Sequence, residues 1–180
     1  MGKFLLGLIV GLIVIPICVY MYFSSGSAPV ATKSTPMPFE KMLANLALHA
    51  RMRKEMPKSS PIPADEATFN AGVQVYKDNC AVCHGLPGQP LTAIAQGMFP
   101  KPPKLMEGTG VSDDPAEETY WKVSGGIRMT GMSGFDALLT PTQMWQVSLL
   151  LANSDKLPKT VKDNLTSVGT PTPMSHAMTK

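Results

Sequence analysis

Cys80-Ala81-Val82-Cys83-His84, reached through the run DEATFNAGVQVYKDN from Asp65 to Asn79, decides how this chain folds. Phe69, Val73 and Tyr76 recur at helical spacing, so the run reads as an amphipathic helix that delivers the motif at its end. Two thiols on one helical turn can add to the two vinyl groups of a haem, and the adjacent imidazole then faces the iron from the same side. CxxCH is the spacing of c-type haem attachment. A zinc site would need four ligands, yet the third cysteine, Cys18, lies in an apolar run, and His49 and His176 lie far from the motif. A thioredoxin-like CxxC expects a strand before it and an α/β pattern around it, and neither is present. An ordinary disulfide would leave His84 unexplained. The cofactor expected is therefore one covalent haem c, held by Cys80 and Cys83 and ligated by His84.

A second axial donor must come from a distant loop. Gly125 to Phe135 reads GGIRMTGMSGF and offers Met129 and Met132 between two helical segments. Gly131 and Gly134 flank Met132 and let the backbone turn around it. Met129 sits beside Arg128, a charge better left in water. The segment before this loop starts a helix near Asp114, with Pro115 at its first position and Glu117 completing a capping box, and stops at Gly125-Gly126. The segment after it starts at Thr140-Pro141 and runs through Met144, Trp145, Val147, Leu150 and Leu151. Trp121 and Arg128 carry N–H donors suited to haem propionates, against the plainer readings of core packing and a solvated loop charge.

From Asp65 to Asn153 the chain resembles the class I cytochrome c family. The helix running into CAVCHG, the loop GIRMTGMSGF and the final helix beginning TPTQMW carry the resemblance. The family's loop commonly reads GI-x-x-TGMPAF with its methionine as sixth iron ligand, which implies Met132 here, with Ser133 in place of the usual proline. The family crosses its first and last helices at a glycine and aromatic contact, implying that Gly72 and Tyr76 meet Val147 and Leu150. A proline carbonyl in the loop after CxxCH usually accepts a hydrogen bond from the proximal histidine. In Phe99-Pro100-Lys101-Pro102-Pro103-Lys104-Leu105 the candidates are Pro102 and Pro103, against the reading that these prolines only stiffen a loop. The fold implied is all-α: short helices around one covalent haem.

The remaining segments surround this domain. Phe4 to Phe23 carries no charge, and its twenty residues span about 30 Å as a helix, one hydrocarbon core. Tyr20, Tyr22 and Phe23 cluster at its far end, and Lys3 precedes it with no further Lys or Arg until Lys33. The positive-inside rule puts the N-terminus in the cytoplasm and the haem domain outside, in the periplasm. The rival is a cleaved signal peptide, whose apolar core is usually shorter. The expected organisation is a single-pass transmembrane anchor over 1–23 and a linker over 24–64 with a helix over 39–55. A haem domain over 65–156 and a disordered, Thr/Pro-rich tail over 157–180 follow. The 39–55 helix reads as a spacer, with packing on the membrane surface or on the domain as alternatives.

The formal net charge of +3 divides unevenly: −4 over Asp65 to Lys156 and +4 over Ser24 to Ala64. An acidic domain favours a redox protein partner with a basic docking surface, and the basic linker favours anionic headgroups. Neither has the basic and aromatic interleaving expected for nucleic acid. With both axial positions filled, no small-molecule substrate is expected and the protein is not an enzyme. The reading is single-electron transfer at the outer face of the cytoplasmic membrane, as a tethered shuttle or as the haem subunit of a respiratory or dehydrogenase complex. The alternative is a haem enzyme or gas sensor with an open iron site.

Overall fold

A computed structural model describes residues 1–107 and 114–167, and these fold into helices without a strand. The chain divides into two compact units, Met1–Asn45 and Leu46–Lys180. The first is dominated by α1 (Gly2–Ser24), 23 residues of mean hydropathy 2.7 with Pro16 inside and no buried residue. It is long and apolar enough to cross a membrane. Helix α2 (Glu40–Glu55) begins in this unit and ends in the next. It opens on Glu40, whose carboxylate accepts from the Met37 amide at 2.9 Å.

In the second unit, α3 (Glu66–Asn79) starts where the Asp65 carboxylate accepts from the Thr68 amide at 2.8 Å. It buries Phe69, Gly72, Val73, Val75 and Tyr76. Short helices α4 (Ala81–His84) and α5 (Ala93–Gly97) follow, then α6 (Ala116–Gly125) and α7 (Pro141–Ala152). Thr140 and Gln143 close a capping box at the start of α7. Its all-round apolar sequence lets it pack on both α3 and α6, and it buries seven residues from Met144 to Leu151. At the α3–α7 crossing the Gln146 carbonyl lies where a Gly72 side chain would be, and Leu150 presses close beside it. Tyr120 stacks on Trp145 with ring centroids 4.3 Å apart, joining α6 to α7.

Two sequence expectations need correcting. No Asp114–Glu117 capping box forms: α6 is preceded by Pro115 without a side-chain cap. The Asp114 carboxylate instead pairs with Lys122 Nζ at 3.0 Å, alongside Glu118 at 2.7 Å. Burial alone would lower the Lys122 pKa, but these hydrogen bonds and charges outweigh it and raise it. The segment after Leu157 is not disordered from its start, because α8 (Lys159–Thr166) forms there and packs on α3. Leu157, Val161 and Leu165, four residues apart, are all buried, a stripe hidden by the polar composition around it. Lys77 Nζ bonds the Asn164 and Ser167 carbonyls, and Thr160 meets Glu66, so α3 holds α8 by polar contacts as well. The rest of the expected tail, 168–180, lies outside the described residues.

Candidate haem site

Cys80 caps the C-terminal end of α3 and begins α4, so both thiols and the histidine are delivered by one continuous turn. The Cys83 and His84 amides donate to the Cys80 carbonyl at 3.1 and 2.9 Å. Neither thiol is in a disulfide. Burial pushes the Cys80 thiol up to about 12, with Cys83 beside it adding to the shift. Gly85, at φ +76, turns the chain out of the helix. The buried Tyr76 hydroxyl donates to the Gly85 carbonyl at 2.6 Å and fixes that exit.

His84 Nδ1 lies 2.8 Å from the Pro103 carbonyl oxygen. A carbonyl can only accept, so Nδ1 carries the proton and the Nε2 lone pair is left free. Burial lowers the His84 pKa, more than the Pro103 bond raises it, and favours the neutral ring. A neutral imidazole, fixed in tautomer and presenting Nε2, is what a metal requires. The carbonyl used is that of Pro103, not Pro102. The loop carrying it is braced by Glu107, which accepts from the Gly88 amide at 2.7 Å and pairs with Lys104 at 2.9 Å. Thr92 Oγ1 also donates to the Val82 carbonyl at 2.6 Å, tying α5 back to the CxxCH turn.

The methionine loop folds back on the end of α6. The Ile127 amide donates to the Met132 carbonyl at 3.0 Å, and the Met132 amide to Thr130 Oγ1 at 3.0 Å. The Phe135 amide returns to the Val123 carbonyl at 2.9 Å. Gly126 sits at φ +67, and a Cβ there would lie 2.5 Å from the Gly134 nitrogen and 2.7 Å from the Met132 oxygen. This closure separates the two methionines: Met132 packs partly buried against the core, whereas Met129, at φ +62, is 93% exposed. Met98 lies against this loop, its methyl filling the space a side chain at Gly131 would take. Sequence reasoning passed over Met98, Glu107 and Thr92, and nothing in their local pattern marked them.

The other expected site residues are placed differently. Trp121 is half-buried and lines a shallow cleft with Glu55, Pro57, Tyr120, Ser124 and Gly125. Arg128 is exposed on the methionine loop, and Pro102 is half-buried.

The thiol pair on one turn, a histidine with Nε2 free and an inward methionine are a donor set that fits a covalent haem. Residues 69–155 match the family model for cytochrome c, so the chain contains a cytochrome c domain. No curated protein and no solved structure matches the chain. Cytochrome c domains carry covalently bound haem c and serve haem-based electron transfer among redox proteins.

Proposed function

We propose that this chain is a single-haem electron carrier whose iron is ligated by His84 and Met132, and which α1 tethers as a single pass at the outer face of the cytoplasmic membrane. The His84–Pro103 hydrogen bond carries the reading, because it leaves Nε2 as the only free donor of a neutral ring. Cys80 and Cys83 supply the thioether sulfurs. Met132 is preferred over Met129 because the loop turns the first inward and the second into water. The haem supplies a one-electron couple. The protein's part is to hold both donors still. With His84 and Met132 both bound, a haem iron would have no open position for a small molecule, which would leave outer-sphere electron transfer.

The working domain is 65–156, extended by α8 to Thr166, with 1–23 as anchor and 24–64 as linker. The domain's negative charge, −4 over 65–156 and −3 once α8 is included, suits a partner with a basic docking face.

Replacement of each methionine tests the ligation. Met132→Ala should abolish the weak near-infrared sulfur-to-iron band, lower the reduction potential and open the iron to cyanide. Met129→Ala should do none of these. The reverse pattern would overturn the assignment. Co-purification in mild detergent then separates a mobile tethered carrier from a fixed subunit.

A further inference from the structure

Helix α2 has an apolar face that the haem domain does not use. At about 100° per residue, Met42, Leu43, Leu46 and Ala50 fall within roughly 100° of one another on the wheel. Met42, Leu43 and Leu46 are each more than half exposed, and so is Phe39 just before the helix. The inward side of α2 is elsewhere: Met52 is 1% exposed and Leu48, one turn before it, is half-buried. Met52 lies roughly 130° from the centre of the exposed stripe, and Leu48 nearly opposite it. The stripe is therefore free, while on the other side of the same helix Met52 is buried and Leu48 half-buried.

Two observations choose its occupant. Only the 14 residues Ser25–Pro38 separate the end of α1 from Phe39, and fully extended they reach at most about 50 Å. The stripe is thus confined near the bilayer that α1 would enter. Its far end is flanked by Arg53 and Lys54, and the stretch Ser24 to Ala64 carries +4, complementary to anionic headgroups.

We infer that α2 is an interfacial helix that lies in the bilayer surface on Phe39, Met42, Leu43 and Leu46. The inference rests on reading α1 as a membrane anchor. Long basic side chains can bury their stems against lipid and keep their charge at the headgroups, as Arg53 and Lys54 are placed to do. An apolar face of this kind settles about 5–10 Å into the headgroup and acyl boundary. α2 would then be held at the bilayer surface rather than act as a slack spacer.

The test uses the full-length haem-loaded protein in vesicles of phosphatidylcholine and phosphatidylglycerol. Cys18→Ser gives a background in which a nitroxide is placed at Leu43→Cys, at Leu46→Cys or, on the opposite face, at Ala44→Cys. Accessibility to oxygen, which concentrates in lipid, is compared with accessibility to a water-soluble nickel complex. Labels at 43 and 46 should be open to oxygen and closed to nickel, and the label at 44 open to nickel. Nickel access at 43 and 46 would overturn the inference, leaving the stripe in water. Closure to both reagents would overturn it in favour of a protein partner or a second copy. Flotation of the vesicles separates the two premises: protein that fails to float refutes the anchor and this inference with it, whereas floating protein with water-exposed labels refutes only the role of α2.

Discussion

Replacing Gly72 by Ala sets two physical effects of opposite sign against each other. In an exposed helix the change would stabilise by roughly 1 kcal/mol, because alanine loses less backbone entropy. Here the new Cβ would collide with the Gln146 carbonyl oxygen and lie 2.9 Å from its carbon and 3.1 Å from Leu150 Cβ. The first two atoms are backbone and the third is rigidly attached to it, so no side chain can swing aside. Helix α7 must retreat by about 0.5–1 Å, a gap that forfeits a quarter to a half of each contact energy it opens. The contacts at stake are those of Tyr76, Val147 and Leu150, all fully buried. Overpacking of this kind costs about 1–3 kcal/mol. A collision with backbone belongs in the upper half of that range, so after the propensity gain the net loss should be about 1–2 kcal/mol, or roughly 4–8 °C in Tm per kcal/mol for a domain of this size. Thermal and urea melts of the haem-loaded protein, followed by far-ultraviolet circular dichroism, would measure it. Gly97→Ala, where nothing lies within 4 Å of the new Cβ, serves as the control and should not destabilise. A Gly72→Ala protein as stable as the parent, or more so, would refute the tight-crossing argument.

Three further outcomes are expected. Gly126→Ala combines a positive φ with backbone clashes at Gly134 and Met132, so it should displace the methionine loop and weaken the sulfur-to-iron band. Gly125→Ala, where nothing lies within 4 Å, should leave that band intact. Tyr76→Phe leaves the buried Gly85 carbonyl without its donor and should cost about 1–3 kcal/mol in urea unfolding. The Asp65 carboxyl is held below its ordinary range by the Thr68 amide and hydroxyl, so its contribution is fully present above the unfolded carboxylate pKa of about 3.9 and is lost as pH falls through the lower folded value. Asp65→Asn should remove that part of the acid dependence, read as a flatter curve of urea midpoint against pH.

What the sequence disclosed was mostly local. The start of α3 at Asp65, the start of α7 at Thr140-Pro141 and the stop at Gly125-Gly126 depend on neighbours within four residues, and each stands in the structure. Asp114 misled because its carboxylate has two competing partners, a nearby amide and an ammonium eight residues on, and the ammonium prevails. α8 was obscured by averaging: Thr, Lys, Asp and Asn dominate the composition, while three residues spaced by four carry the burial. Pro102 and Pro103 could not be separated, since a proline-rich loop has no periodicity to fix its register; only the distance to His84 distinguishes them. Met98 and Glu107 act through contacts across the fold, at Gly131 and Gly88, which no local pattern encodes.

The two proposed iron donors differ in how they are held, and that difference fixes where the site should yield first. His84 adjoins Cys83, so with both thioethers formed the imidazole would stay beside the haem even if its supporting loop loosened. That loop is braced by the Lys104–Glu107 pair, about a third exposed on each side, and exposed pairs contribute only about 0–1 kcal/mol. The His84 side therefore owes its retention to covalent attachment more than to the loop. Met132 lies 48 residues beyond His84 and has no such tether. Its place depends on the Thr130 hydroxyl, the Ile127 amide and the absence of a side chain at Gly126. These are a few hydrogen bonds, each worth about 0.5–1.5 kcal/mol net, in a segment between α6 and α7 whose residues 128, 129, 131, 133 and 134 are exposed. Local opening draws on such segments before it reaches the α3–α7 core. The methionine side should thus detach while the helices are still folded, turning a closed electron-transfer site into one with an open position under mild denaturant.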